Sequence, residues 1–206
     1  LIDTFKKNLP VWHRYFDIRR KALKLKEINY YDMWAPIAKK KTTLSYEKAV
    51  DLISDSLAPL GKDYVNTLRQ GTLKDGWVDS AENQGKMNGA FSYGAPKTHP
   101  FIMMSFTNDI GSMSTLAHEL GHSMHSYLTW QNQPLAYSNY SLFVAEVASN
   151  FNQAMMRGHL LKTITDKNFL ISLIEEAVGG NFFRYFFQMP TLARFELETH
   201  QRAERG

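Results

Sequence analysis

Two histidines and a glutamate form the strongest chemical signal in the sequence, within the pentad His118-Glu119-Leu120-Gly121-His122. On a helix the two histidines share one face, about 6 Å apart along the axis, so both imidazoles can bind one Zn²⁺ ion. Glu119 is offset by about 100° from His118 and therefore lies beside the metal rather than on it. There it can take a proton from a water whose pKa the zinc has lowered. The spacing predicts one zinc ion per chain, with Glu119 as the base next to it.

A third histidine, His125, follows on the same helical face. It lies about 10 Å along the axis from His118, and a straight helix cannot bring both residues to one ion. Two interpretations stay open for His125. It is either a hydrogen-bond donor to a metal ligand or substrate, or an ordinary structural histidine.

A catalytic zinc site needs a third protein ligand, which must come from another element. Glu146 is the leading candidate, since it lies 24 residues beyond His122, after a predicted turn at 132–134 and on a second predicted helix. The other acidic candidates are Asp109 and the pair Glu175-Glu176. Periodicity alone leaves open that Glu146 simply faces water, as most charged helix positions do.

One polar stripe on the second helix contains Glu146, Ser149, Asn150 and Gln153. The residues between them are mostly apolar, so the stripe is the only polar side of this helix. Ser149 and Asn150 are close enough in sequence to orient the side chains of metal ligands.

The composition excludes several classes of protein. With 206 residues, 44% of them hydrophobic, the chain can bury one sizeable core or two small ones. Its 24 basic and 20 acidic residues give a net charge of +4, too mild and dispersed to indicate a nucleic-acid or membrane partner. Cysteine is absent, so any metal must be held by histidine and carboxylate. Without a long apolar run or leader pattern, we expect a cytoplasmic protein, of open oligomeric state.

Hydrophobic periodicity predicts helices over about 2–25, from Ser45 to Gly61, over 62–70, and through most of the chain from Ser112 onward. Ser112 or Ser114 is expected to cap the helix that carries the pentad.

The region between Gly71 and Asn108 has no helical pattern. Two short strands joined by residues 95–100 are predicted there. The predicted fold class is therefore mainly α, a helical zincin-type catalytic core with a small β-hairpin beside the active-site helix. We expect residues 1–206 to form one such core.

Two further features have structural interpretations. The basic runs Arg19-Arg20-Lys21 and Lys39-Lys40-Lys41 are expected to be solvated. The aromatic run Phe182–Phe187 could line a peptide pocket, although such runs in helical proteins more often belong to the core.

Both chemical motifs together resemble oligoendopeptidase F, a branch of the thimet-oligopeptidase-like zinc metallopeptidases. Residues 118–125 match His-Glu-x-Gly-His-x-x-His, and residues 146–149 match Glu-x-x-Ser. Segments 31–36, 85–92, 100–104 and 195–198 extend the resemblance over nearly the whole chain. It implies His118, His122 and Glu146 as zinc ligands and Glu119 as general base. It also implies a metalloendopeptidase that hydrolyses short oligopeptides.

The sequence identifies fewer of the residues that would bind the substrate than of those that would bind the metal. The segment Gly89-Ala90-Phe91 could pair with an extended peptide as an added strand, or be an ordinary hairpin edge. In the family, His and Tyr from a segment close to the C-terminus serve the transition state, and no matching segment is present. Tyr137, Tyr140 and His125 are the local candidates for this role.

Enzymes of this family are far longer than 206 residues. We therefore expect the chain to be a catalytic-core fragment, without the N-terminal lobe and the C-terminal substrate-binding segment. The alternative is a truncated or degenerate zinc-binding domain without catalytic activity.

Overall fold

The computed structural model describes all 206 residues, and the fold is mainly helical, as predicted. The helices are α1 (Ile2–Ala22), α2 (Tyr46–Ser56), α3 (Lys62–Leu73), α4 (Ile110–Asn132), α5 (Leu142–Thr163), α6 (Lys167–Glu176) and α7 (Met189–Arg205). A π-helical segment, Ala177–Gln188, joins α6 to α7, and 3₁₀ turns occupy Tyr30–Trp34, Ala58–Leu60 and Leu135–Tyr137. The strands are β1 (Val78–Asp79), β2 (Phe91–Tyr93) and β3 (Phe101–Met103). None of the helices is both long and apolar enough to cross a membrane.

The residues group into two compact units. The terminal unit comprises Leu1–Lys40 and Lys167–Gly206, and the central unit comprises Lys41–Asp166. All residues predicted to do chemistry lie in the central unit. That the chain forms a single catalytic core remains a prediction.

Four helices and the sheet build the core of the central unit. Side chains from α2, α3, α4 and α5 are excluded from solvent, among them Ile53, Leu68, Leu116, Leu120, Met156 and Leu160. Helix α4 packs along α5, and α2 contacts both. This packing holds the polar faces of α4 and α5 in a fixed relation.

The first turn of α4 is closed by a capping box, and the predicted N-cap residues were wrong. Asp109, rather than Ser112 or Ser114, is the N-cap, and its Oδ1 accepts a hydrogen bond from the Ser112 backbone N–H at 2.9 Å. The Ser112 hydroxyl group lies 3.2 Å from the Asp109 backbone N–H and accepts from it in return. The negative charge of an aspartate at this position also interacts favourably with the positive end of the helix dipole.

A three-stranded sheet of order β1-β3-β2 lies beside α4. The predicted hairpin is present, with β2 antiparallel to β3 and Ser92 opposite Ile102. Strand β1 was not predicted and pairs in parallel with β3, with Val78 opposite Ile102. Two residues are too few for a period-2 pattern to be visible in the sequence. Because β2 is an edge strand, one side of its backbone does not pair within the sheet.

The expectation that Arg19 is solvated was wrong, since its side chain is buried in the terminal unit at 2% exposure. Its guanidinium group donates to the backbone carbonyls of Asp32 and Ala35, at 3.1 and 2.5 Å, and lies 3.4 Å from Glu175. Glu175 also accepts from the backbone N–H of Ile37 at 2.7 Å. Arg19 therefore ties α1 to the irregular segment that follows it, which its position in a basic run does not reveal.

The aromatic run 182–187 is divided between core and surface. Phe183 is buried and packs edge to face on Trp12 and Phe16, with ring centroids 5.6 and 6.1 Å apart. Phe182 and Phe186 are exposed. The core interpretation therefore holds for Phe183.

Candidate metal centre

Helices α4 and α5 are in close backbone contact at Gly121, inside the histidine-containing pentad. A methyl group at Gly121 would lie 2.7 Å from the Ala148 carbonyl oxygen and 2.7 Å from the Ser149 Cα atom. Real Cβ atoms do not approach backbone so closely, so only glycine allows this contact. The close contact brings the polar stripe of α5 next to the histidines of α4.

The ligand atoms of His118, His122 and Glu146 cluster within 4.8 Å of one another. Glu146 Oε2 lies 3.3 Å from His118 Nε2 and 3.8 Å from His122 Nε2. Around a tetrahedral Zn²⁺, bond lengths of about 2.0–2.2 Å would place neighbouring ligand atoms about 3.3–3.6 Å apart. The two nitrogens and one carboxylate oxygen therefore suit a zinc-sized cation in chemistry. The distance from Glu146 to His118 lies in this range, and the distance from Glu146 to His122 is slightly longer.

Both histidine rings are held by groups on α5. His118 Nδ1 lies 2.9 Å from Gln153 Oε1. A hydrogen bond to the backbone of Ala145 favours the charged form of His122, so the acceptor is the carbonyl oxygen. Burial has the larger effect and lowers the pKa of His122, which favours the neutral imidazole that binds metals.

Glu146 is held by its own helix. The Ser149 hydroxyl group, fully buried, donates to Glu146 Oε2 at 2.8 Å. The Asn150 side-chain amide donates to the Glu146 backbone carbonyl at 2.8 Å, not to its carboxylate. Ser149 thus contacts the Glu146 carboxylate directly, whereas this hydrogen bond of Asn150 is made to the Glu146 backbone.

Glu119 lies next to the cluster and is only 5% exposed. Burial, reinforced by the nearby charge of Glu146, raises the pKa of Glu119 to about 7, and a hydrogen bond from the Ser92 backbone N–H acts in the opposite direction. Glu119 Oε2 is buried without a hydrogen-bond partner. Since an unpaired buried acceptor is costly, this oxygen is suited to a ligand or water at the site.

Strand β2 is attached to α4 beside Glu119. In addition to the backbone contact of Ser92 with Glu119, the Ser92 and Ser123 hydroxyl groups lie 2.8 Å apart. Gly89 and Ala90 precede the strand, and Phe91 is its first residue and about half exposed. An edge strand next to Glu119 is compatible with both interpretations of segment 89–91, as a substrate-binding strand or as an ordinary edge.

The structure places His125 outside the three-residue cluster. Its ring stacks on Tyr140 with centroids 3.9 Å apart, and burial lowers the His125 pKa. The Tyr140 hydroxyl group lies 2.5 Å from the Ser126 hydroxyl group, and His125 Nδ1 is buried without a partner. Tyr137 lies on the 3₁₀ turn before α5 and is 70% exposed. A role for these residues in stabilising an oxyanion remains a prediction.

The rival acidic ligands have other partners. Asp109 caps α4, and Glu175 pairs with Arg19 in the terminal unit. The contacts of Gln153 with His118 and of Ser92 with Glu119 were not predicted from the sequence. Gln153 could have been singled out because it lies two helical turns after Glu146 on the same polar stripe. A backbone contact such as that of Ser92 has no sequence signal.

Replacing Gly121 by alanine is expected to destabilise the chain by about 1–3 kcal/mol, because the added methyl group meets backbone atoms that cannot move aside independently. Helix α5 must then shift, and Glu146 with it, so Zn²⁺ affinity should fall as well. Urea unfolding and Zn²⁺ titration measure the two effects.

Gly158→Ala on α5 is the matched control. A methyl group at Gly158 meets nothing within 4 Å, so helix propensity alone should stabilise this variant by about 0.5–1 kcal/mol. Equal stabilities of the Gly121→Ala and Gly158→Ala variants would contradict the close contact between α4 and α5.

The raised pKa of Glu119 predicts a pH-dependent stability in chelator-treated protein. The folded chain holds this proton more tightly than the unfolded chain, so the contribution is present below the ordinary value of 4.5 and is lost as pH rises through about 7. The Glu119→Gln variant cannot lose the proton. We expect it to match the wild type near pH 4 and to exceed it by about 3 kcal/mol near pH 8, measured by urea unfolding. A constant difference across this range would refute the shift.

Comparison with known proteins shows that the chain is similar to peptidases over its whole length. The sequence model of peptidase family M3 matches residues 1–206. Oligopeptidase PepF from Bacillus subtilis is 42% identical over 207 residues, which cover 100% of this chain and 31% of the relative. An oligoendopeptidase F homolog from Borreliella burgdorferi is 40% identical, covering 98% of this chain and 34% of the relative. The chain thus spans about a third of the length of these curated relatives.

Solved structures share the fold. A crystal structure of a protein from Chlamydophila abortus superposes with a TM-score of 0.83 at 38% identity, covering 100% of this chain and 34% of that one. Oligoendopeptidase F from Enterococcus faecium superposes with a TM-score of 0.61 at 23% identity, covering 100% and 28% respectively, a similarity that concerns the fold alone.

Proposed function

The chain belongs to peptidase family M3, and from this premise we propose that it carries the catalytic centre of a zinc-dependent endopeptidase that hydrolyses short oligopeptides. The names of the two curated relatives, an oligopeptidase and an oligoendopeptidase F homolog, support peptides as the substrate class. The mild net charge of +4 gives no reason to expect a nucleic-acid or membrane partner.

His118, His122 and Glu146 would hold the metal through two imidazole nitrogens and one carboxylate oxygen. When bound, zinc supplies a Lewis acid that polarises the peptide carbonyl and makes water more acidic. Gln153 and Ser149 keep His118 and Glu146 oriented toward the shared point. With three protein ligands, the site keeps a position open for substrate or water, as catalytic zinc sites do.

Glu119 would act as general base and then as general acid. Its unpartnered oxygen accepts a proton as water attacks the peptide carbonyl carbon, and it returns that proton to the nitrogen when the carbon–nitrogen bond breaks. Burial raises the pKa of Glu119 to about 7 in the metal-free chain, and the positive charge of a bound zinc ion would lower it and favour the ionised base. The Ser92 backbone N–H donates to the Glu119 carboxylate, which positions the side chain and favours its ionised form.

The edge strand β2 is a natural place for the substrate backbone. It lies beside α4 and leads directly from Phe91 to Ser92, which contacts the base. An extended peptide added along this edge would bring its carbonyl groups past the metal ligands. Tyr137, Tyr140 and His125 are the local candidates to stabilise negative charge on the carbonyl oxygen.

One observation carries this proposal: three metal-binding side chains converge within 4.8 Å, beside a buried glutamate with one unpartnered oxygen. A structural ion site does not need a buried base without a partner, whereas hydrolysis does.

Removal and return of zinc test the proposal. We expect cleavage of an internally quenched fluorescent peptide by the 206-residue chain to stop after chelation and to return with one equivalent of Zn²⁺. The same peptide incubated with Zn²⁺ alone is the control. A chain that binds one zinc ion but leaves the peptide intact would favour the alternative, a zinc-binding domain without catalytic activity.

A further inference from the structure

A buried hydrogen-bond chain extends from His118 to Arg157, away from the side of the ring that faces Glu146. His118 Nδ1 contacts Gln153 Oε1 at 2.9 Å, and Gln153 Nε2 donates to the Ser114 hydroxyl oxygen at 2.9 Å. Arg157 Nη2 donates to the same oxygen at 3.1 Å. Ser114 is 1%, Gln153 6% and Arg157 9% exposed, so water competes little for these contacts.

The chemistry of the groups determines which atom donates and which accepts in each of these hydrogen bonds. A guanidinium group has only donors, so Ser114 Oγ must accept from Arg157, and its second lone pair can accept from the Gln153 amide nitrogen. With the amide nitrogen of Gln153 directed at Ser114, its oxygen faces His118. An oxygen only accepts, so His118 Nδ1 must carry a hydrogen.

The tautomer decides whether His118 can bind a cation. A neutral imidazole has one protonated nitrogen and one free lone pair. With the hydrogen on Nδ1, the free lone pair is on Nε2, the atom that lies 3.3 Å from Glu146 Oε2. The opposite orientation of Gln153 would leave Nε2 protonated and unable to bind metal.

We propose that Arg157, through Ser114, fixes the side-chain amide of Gln153 and thereby holds His118 in the tautomer that binds metal. Gln153, Ser114 and Arg157 are positioning residues, since none of them belongs to the ligand cluster. This inference rests on the proposed function, because it assigns these residues a purpose only if the cluster binds a metal. Partners that orient metal ligands typically contribute 10–100-fold in affinity.

Zn²⁺ affinity, measured by competition with a chromogenic chelator, tests the inference without any activity assay. Gln153→Met keeps the size of the side chain but offers no acceptor to Nδ1, and we expect it to weaken Zn²⁺ binding by about 10–100-fold. Gln153→Glu places a carboxylate oxygen at the same point, accepts from Nδ1, and should restore affinity to near the wild-type value. A merely structural role would not separate these two variants in this way.

Ser114→Ala gives a second variant if Gln153→Met does not fold. It removes the oxygen that sets the amide orientation, so affinity should fall. Its matched control is Ser54→Ala on α2, where a buried serine likewise accepts from an arginine, Arg69, at 3.2 Å, but no metal ligand is present. We expect Ser54→Ala to bind Zn²⁺ like the wild type.

Two results would overturn the inference, and they are distinguishable. If Gln153→Met or Ser114→Ala folds and binds Zn²⁺ as tightly as the wild type, the positioning role fails while the proposed function stands. If the wild-type chain binds no Zn²⁺, the proposed function fails and the inference with it.

Discussion

Replacing Glu119 by glutamine is expected to lower kcat for peptide hydrolysis by about 100- to 10,000-fold, the range that positioned proton transfer contributes. The amide has nearly the same shape, but it cannot take a proton from water or return one to the leaving nitrogen. Zinc content should stay at one ion per chain, because Glu119 is not among the three clustered ligands. Peptide cleavage and metal analysis on the same sample measure both effects.

The matched control is Glu82→Gln, the same chemical change at an exposed position outside the cluster. This variant should retain full activity. Substantial cleavage by the Glu119→Gln variant, with zinc bound, would show that another group is the base.

Replacing His122 by alanine is expected to abolish both metal binding and cleavage. It removes one of three nitrogen and oxygen ligands, so the loss of Zn²⁺ affinity should exceed the 10–100-fold that an outer hydrogen-bond partner contributes. The wild-type melting temperature should rise on addition of Zn²⁺, because a ligand that binds only the folded state stabilises it. The variant should show no such rise at the same zinc concentration.

His200→Ala serves as the control for this loss, because His200 is exposed on α7 and far from the cluster in sequence. It should bind Zn²⁺ and cleave peptide as the wild type does. A His122→Ala variant that still binds one zinc ion tightly would contradict the assignment of this ligand.

Much of the helical frame could be predicted from the sequence, for reasons that are local. The second helix was predicted to begin at Ser45, and Ser45 caps α2, because a serine before an amphipathic run satisfies the first free N–H groups. The convergence of His118 and His122 follows from a spacing of four residues on one helix. The place of Glu146 beside them required a second helix packed on the first, which the resemblance to a known family implied but periodicity left open.

Other features depend on tertiary contacts and have weak or no local signals. Strand β1 is only two residues long and exists because β3 pairs with it. Arg19 lies in a run of basic residues, yet it is buried because it donates hydrogen bonds to the backbone carbonyls of Asp32 and Ala35. The N-cap of α4 went to Asp109 because the helix starts before the serines that were expected to cap it.

The role of Gly121 shows why sequence position alone was insufficient at the site. Within the pentad, metal chemistry does not constrain the two residues between Glu119 and His122, of which Gly121 is the second. The structure explains why Gly121 is a glycine, since the backbone of α5 occupies the space that a side chain would need. The spacing of the two helices, and hence the position of Glu146, depends on that contact.

X-ray absorption at the zinc edge, on the chain loaded with one equivalent of Zn²⁺, tests the proposed metal centre most directly. We expect two imidazole nitrogens and at least one carboxylate oxygen at about 2.0–2.2 Å, and this signal should be absent from the His122→Ala variant at the same zinc concentration. A zinc environment with fewer than two imidazoles, or one that His122→Ala leaves unchanged, would contradict a centre built from His118, His122 and Glu146.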